Sequence, residues 1–207
     1  PLPHKEGHEK MLTDFARRQA RELLNAIAHF FQGIGLTPDA LTVAGLGLVC
    51  VTAVVIALGY EVWGAVLLIV GAGFDATDGA LARLTNRVTK FGGFLDSTLD
   101  RYADGFLMLA LVWRGMELNN RWLVALAGLA LIGAFLVSYT RARAEGLGLQ
   151  LKEGWFTRLE RMIVLVLGLF GTLVFGQWSL VGAAGVLAIL SNVTAIQRIL
   201  LTRQKLD

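Results

Sequence analysis

Six apolar runs, each about twenty residues long, leave this 207-residue chain few ways to fold. A helix needs about 20 mostly apolar residues to cross the hydrocarbon core of a bilayer, so every run is long enough to span. The runs extend from about Asp39 to Tyr60, Val62 to about Leu84, Phe91 to Trp113, Trp122 to about Arg143, Phe156 to Phe175 and Trp178 to Leu201. Only 17% of the residues are charged and the mean hydropathy is +0.60, which excludes both a soluble globule and a disordered chain. The expected fold is therefore an all-α integral membrane protein with six transmembrane helices, and no length is left for a large soluble domain. Abundant glycine, 24 residues in all, suits helices whose backbones approach closely in lipid.

The segment before the first run differs in character. Residues 11–35 place Leu12, Phe15, Leu23, Leu24, Ile27, Phe30 and Phe31 at helical spacing, with Arg17, Arg18 and Arg21 on the other side. This amphipathic pattern predicts a helix lying in the headgroup layer, although a helix packed on its own bundle has the same pattern. Residues 1–10 are expected to be a tail or an expression remnant outside the fold, and residues 36–207 form the membrane domain. No cleavable signal peptide is expected, because the first long apolar run begins only near Leu36. Cys50 has no partner for an intrachain disulfide, and only three histidines, His4, His8 and His29, accompany it. Any metal site is thus expected to rest on carboxylates.

Charge placement gives the orientation. With the N-terminus in the cytoplasm, that face collects all the Lys and Arg except Arg114 and Arg121. The positive-inside rule then places both termini on the cytoplasmic side of a cell membrane. Trp63, Trp113, Trp122 and Trp178 fall at run ends on the opposite side, where an amphipathic indole prefers to sit.

Carboxylates inside a span cost several kcal/mol, about 2.5 to 3.5 on insertion scales, and so call for a reason. The second run ends with Asp75 and Asp78, and the third begins with Asp96 and Asp100. Positions three and four apart share one helix face, so two antiparallel helices can aim all four at one another near the cytoplasmic end. Four like charges there would repel strongly, and two divalent cations, Mg²⁺ or Mn²⁺, resolve the conflict. A competing reading has them as interfacial carboxylates paired with Arg83, Arg87 and Arg101. Small residues between the pairs, Gly79, Ala82, Gly92 and Gly93, leave room for a ligand, and two hard cations with an Arg suggest a diphosphate.

Residues 75–100 read D-A-T-D-G-A-L-A-R, eight residues, G, three residues, D, three residues, D. This resembles the signature of the CDP-alcohol phosphatidyltransferases at every fixed position: Asp75, Asp78, Gly79, Ala82, Arg83, Gly92, Asp96 and Asp100. The resemblance implies a six-helix homodimeric membrane enzyme in which a CDP-linked lipid gives its phosphatidyl group to an alcohol and CMP leaves. It further implies two Mg²⁺ or Mn²⁺ ions held by Asp75, Asp78, Asp96 and Asp100, with Asp100 also the base for the attacking hydroxyl. Membrane lipids are the surroundings it implies, and nucleic acid is not among its partners. In-line attack on phosphorus needs charge neutralised on its oxygens and a proton acceptor for the hydroxyl, so the chemistry agrees.

L-T-P-D-A-L-T, residues 36–42, is similar to the stretch that borders the cytidine in this family. The likeness makes Asp39 and Thr42 nucleotide contacts, with Gly79, Arg83 and Thr89 beside the diphosphate. S-Y-T-R-A-R-A-E at 138–145, R-L-E-R at 158–161 and T-A-I-Q-R at 194–198 resemble the phosphatidylinositol phosphate synthase branch and its archaeal ether-lipid equivalent. Leu159 stands where that branch usually has Pro, and Arg141 where bacterial members often have Lys. The branch likeness implies a phosphorylated alcohol acceptor, inositol phosphate, in a pocket of Arg141, Arg158, Arg161 and Arg198. Guanidinium groups suit a phosphate dianion. Glycerol phosphate or serine is the alternative acceptor, and a membrane prenyltransferase or a divalent-cation transporter the remoter alternative.

Overall fold

The structure, a computed structural model, describes residues 22, 24–151 and 154–206. These residues form α1 (24–33), α2 (Pro38–Ala57), α3 (Glu61–Leu84), α4 (Lys90–Glu117), α5 (Arg121–Glu145), α6 (Arg158–Phe175) and α7 (Gln177–Leu206), with no strand among them. All six apolar runs fold as helices within a few residues of their expected ends. Residues 1–10 and the Arg17, Arg18 and Arg21 face of the first segment lie outside the described residues.

Four of the helices, α2, α3, α5 and α7, are long and apolar enough to cross a membrane. The other two long runs carry more charge: α4 holds Asp96, Asp100, Arg101 and Asp104 in its first fifteen residues, and α6 opens with Arg158, Glu160 and Arg161. Local chemistry sets the ends. Thr37 caps α2 by accepting from the Ala40 N–H, and Pro38 sits at the first helical position, where its missing N–H costs nothing. After α2 the chain turns at Gly59, whose φ of +87° is a conformation that favours glycine. At α6, both the backbone N–H and the hydroxyl of Thr157 donate to Glu160, so this acid serves the helix start.

The chain divides into two compact units. The first holds the described residues up to Gly45 together with Ala72–Asp96: α1, the start of α2, the end of α3 and the first turns of α4. Its small core is Ala28, Leu41, Ala80 and Leu81, with Leu24, Phe31 and Phe74 packed around it. The described part of α1 therefore buries one face within this unit, while Phe30 and Ile34 stay exposed.

The second unit, Leu46–Gly71 with Ser97 onward, has the larger core, built on Ile56, Leu68, Leu107, Leu111, Leu165 and Leu187. Helix α7 packs on both α5 and α6. The approach is close enough that a Cβ on Gly133 would lie 2.7 Å from Asn192 Nδ2 and 2.8 Å from Ser191 Cβ. On the other side, Ser179 of α7 donates to the Gly168 carbonyl of α6 at 2.8 Å. Small residues and interhelical hydrogen bonds are what hold helices together where lipid supplies no hydrophobic drive. The Arg114–Glu61 ion pair, at 2.7 Å, ties α4 to the start of α3.

Candidate active site

In the first unit, Asp75 and Asp78 lie on one face of α3, three residues apart, and Asp96 comes from the first turns of α4. One carboxylate oxygen from each lies within 4.8 Å of the other two. Asp78 is buried, Asp96 half-buried and Asp75 exposed, so the cluster grades from protein to an open side. Thr42 of α2 donates its hydroxyl to Asp78 Oδ2 at 2.7 Å, which fixes one of the three carboxylates. Oxygens facing each other across an octahedral Mg²⁺ stand about 4.2 Å apart, so this set could close on a hard divalent cation with small shifts. The donor chemistry fits as well, since all three ligands offer anionic oxygen.

The expected nucleotide contacts lie in the same unit. Arg83 lies over Gly79, where a Cβ would come 3.5 Å from Nη1. Thr89 caps α4, its Oγ1 accepting from the Gly92 N–H at 2.9 Å. A Cβ on Gly92 would meet Thr89 Oγ1 at 3.1 Å and Asp39 Oδ1 at 3.2 Å, so Asp39 and Thr89 both border this glycine. Thr42 is held by Asp78.

The second unit holds the fourth aspartate and the basic residues. Asp100 lies one turn beyond Asp96 on α4, and Arg158 Nη1 reaches its Oδ1 at 2.8 Å. Arg158 and Arg161, three residues apart on α6, converge on Asp104: Arg161 Nη2 lies 2.6 Å from Oδ2 and Arg158 Nε 3.9 Å from Oδ1. Arg161 is buried beside a cavity of about 10 Å³, the room of about one water, that Ser191 also lines. Arg198 is buried on α7 and donates from Nη1 to the Val137 carbonyl at 2.6 Å. Arg141 is exposed and pairs with Glu145 at 2.9 Å. The structure thus brings Arg158 and Arg161 to one carboxylate and ties Arg198 and Arg141 to partners of their own.

Asp104 escaped the sequence reading because the signature stops at Asp100. Its signal was present: Asp96, Asp100 and Asp104 recur every four residues and so run along one face of α4.

The profile of the CDP-alcohol phosphatidyltransferases matches residues 35–197. Among similar proteins, the archaetidylinositol phosphate synthase of Methanothermobacter thermautotrophicus is 38% identical over 200 residues, covering 96% of this chain and 97% of its own length. The phosphatidylinositol phosphate synthase of Mycobacteroides abscessus is 36% identical over 186 residues, covering 88% of this chain and 84% of its own. A crystal structure of the Mycobacterium tuberculosis phosphatidylinositol phosphate synthase with CDP-DAG bound superposes with a TM-score of 0.82 at 32% identity, over 87% of this chain and 94% of that one. Another, with manganese and citrate, gives 0.80 at 32% identity, over 86% and 88%. An intact aspartate signature, an all-helical fold and a match that runs nearly the length of the chain have one explanation: this protein belongs to the CDP-alcohol phosphatidyltransferase family.

Proposed function

We propose that this chain transfers the phosphatidyl group of a CDP-linked lipid, CDP-diacylglycerol or an ether analogue, to a hydroxyl of inositol phosphate, releasing CMP. The observation that carries the reading is the meeting of Asp75, Asp78 and Asp96 carboxylate oxygens within 4.8 Å. Relatives named as synthases of archaetidylinositol phosphate and phosphatidylinositol phosphate, at 36 to 38% identity, support the choice of acceptor. Family membership sets aside the prenyltransferase and transporter alternatives.

In this proposal Asp75, Asp78, Asp96 and Asp100 hold two divalent ions, Mg²⁺ or Mn²⁺; the manganese complex of the Mycobacterium tuberculosis enzyme supports that choice. Bound there, such ions neutralise charge on the diphosphate oxygens and on departing CMP. Asp39, Thr42, Gly79, Arg83 and Thr89 seat the nucleotide end of the donor, Arg83 by charge and Gly79 by leaving the backbone bare. Asp100 accepts the proton of the acceptor hydroxyl as its oxygen attacks phosphorus. Arg141, Arg158, Arg161 and Arg198 hold the acceptor's phosphate, an anion that planar guanidinium groups match with paired N–H donors.

The same proposal has six spans, with α4 and α6 crossing beside the four more apolar helices, both termini and the site facing the cytoplasm, α1 at the interface and the enzyme a homodimer. Charged ends on α4 and α6 suit helices whose polar turns lie at the headgroup level around a site. Incubating purified protein with CDP-diacylglycerol and, separately, inositol phosphate, glycerol phosphate or serine, and measuring CMP, tests the reading. Inositol phosphate should support release; release with glycerol phosphate alone would overturn the acceptor assignment.

A further inference from the structure

We infer that Asp104 is a positioning residue for the acceptor: it anchors Arg161 directly and places its negative charge beside Arg158, so that the two guanidinium groups stay side by side. This inference rests on the proposed acceptor pocket and adds a residue that the aspartate signature does not contain. Asp104 is only 5% exposed, and a buried carboxylate is tolerated only where cations compensate it. Its compensation comes from α6, with Arg161 Nη2 2.6 Å from Oδ2 and Arg158 Nε 3.9 Å from Oδ1.

The arrangement solves a problem set by the sequence. Arg158 and Arg161 share a face of α6, and two guanidinium groups so placed repel each other. A single carboxylate between them lets both stay in the same small region. Arg158 is also drawn at its other end, where Nη1 lies 2.8 Å from Asp100 Oδ1. Asp104 faces Nε at 3.9 Å, too far for a hydrogen bond, while Asp100 meets Nη1 at 2.8 Å, so the guanidinium is fastened at Asp100 and only flanked by the charge of Asp104. Removing Asp104 leaves Arg161 as a buried cation without its closest anion and restores the repulsion between it and Arg158, which remains fastened to Asp100. The separation between the base and the phosphate seat, which decides where the acceptor hydroxyl lies, would then be lost. Being buried behind the two arginines, Asp104 acts through them, so its loss should be felt by the acceptor and not by the donor.

The test uses the full chain in detergent, as wild type, Asp104→Asn, and Asp104→Asn combined with Arg161→Gln. CMP release is measured while CDP-diacylglycerol and inositol phosphate are varied in turn, and thermal melting is recorded for each protein. Asp104→Asn should raise the acceptor KM at least about tenfold, the scale of a misplaced binding group, with the donor KM within about twofold. It should also melt lower, and adding Arg161→Gln should recover the melting temperature without recovering the acceptor KM, because charge balance returns but the seat does not. An unchanged acceptor KM, a donor KM rising in step, or an acceptor KM that recovers together with melting would each overturn the inference. If Asp104→Asn does not fold, Asp104→Glu, which keeps the charge but displaces the carboxylate by one methylene, carries the same KM comparison. Should wild type release no CMP with any acceptor, the functional reading fails instead, and the seat is read with inorganic phosphate alone. Phosphate should then raise the melting temperature of wild type more than that of Asp104→Asn, and equal shifts would overturn the positioning role.

Discussion

The carboxylates of the first unit and the guanidinium groups of the second are held in opposite ways. Asp75, Asp78 and Asp96 crowd like charges within 4.8 Å, and Thr42 contributes a neutral hydroxyl to one of them. The arginines are spread among acceptors: Arg158 on Asp100, Arg161 on Asp104, Arg198 on a backbone carbonyl and Arg141 on Glu145. Crowded anions store repulsion that a cation releases on binding, so the acidic set is built to take up charge. A basic set already compensated by protein gains less from an anion, and in the proposed function its task is geometric. The two sets should therefore fail differently when broken, the first in turnover and metal dependence, the second in acceptor affinity.

The largest effects are expected in the acidic set. Asp75→Ala, Asp78→Ala or Asp96→Ala should abolish CMP release while the protein still inserts and melts cooperatively, and EDTA should stop the wild type with recovery on adding Mg²⁺ or Mn²⁺. Full activity in any one of the three would break the contrast at its root. Asp100→Asn should follow, with a loss of about 10² to 10⁴-fold in kcat if its part is proton transfer. A larger loss accompanied by a raised metal requirement would make it a ligand as well as the base.

This contrast was only half legible in the sequence. The acidic set could be read because carboxylates in an apolar run stand out and their three- and four-residue spacing fixes a common face. Helix positions were legible because the length of an apolar run is a local property. The basic set was not, because the positive-inside rule asks for Arg at those helix ends whatever they do. Nothing local says that Arg161 is buried against Asp104 or that Arg198 donates to the Val137 carbonyl 61 positions away along the chain. Those are tertiary choices, and they separate Arg141, exposed and paired within its own helix, from the three that the second unit encloses to differing degrees.

Effects on the basic set should be smaller and confined to the acceptor. Arg158→Lys keeps the charge but loses the planar fork, so the acceptor KM should rise by about tenfold with the donor KM unchanged. Gly154→Ala tests the same separation without touching a charge. A Cβ there would come 2.6 Å from Arg198 Nη2, so the guanidinium must move, and a few-fold rise in acceptor KM is expected. A rise in donor KM instead would place Arg198 at the nucleotide and blur the division between the sets.

An effect of similarly small size is the sharpest probe of the acidic side. Thr42 donates to Asp78 Oδ2 at 2.7 Å and its hydroxyl also lies 3.1 Å from the Pro38 carbonyl, so a single side chain joins the start of α2 to the carboxylate cluster. Thr42→Val preserves the branched shape and removes only the hydroxyl, at a cost of about 1 kcal/mol for a lost hydrogen bond of this kind. If the hydroxyl serves the carboxylate, the metal concentration for half-maximal CMP release should rise about fivefold, and Thr42→Ser should restore it. If it serves the cytidine, as the likeness of residues 36–42 implies, the donor KM should rise while the metal requirement holds. A donor effect alone would leave Asp78 needing no help from α2, and the three carboxylates would then be held by α3 and α4 against their own repulsion.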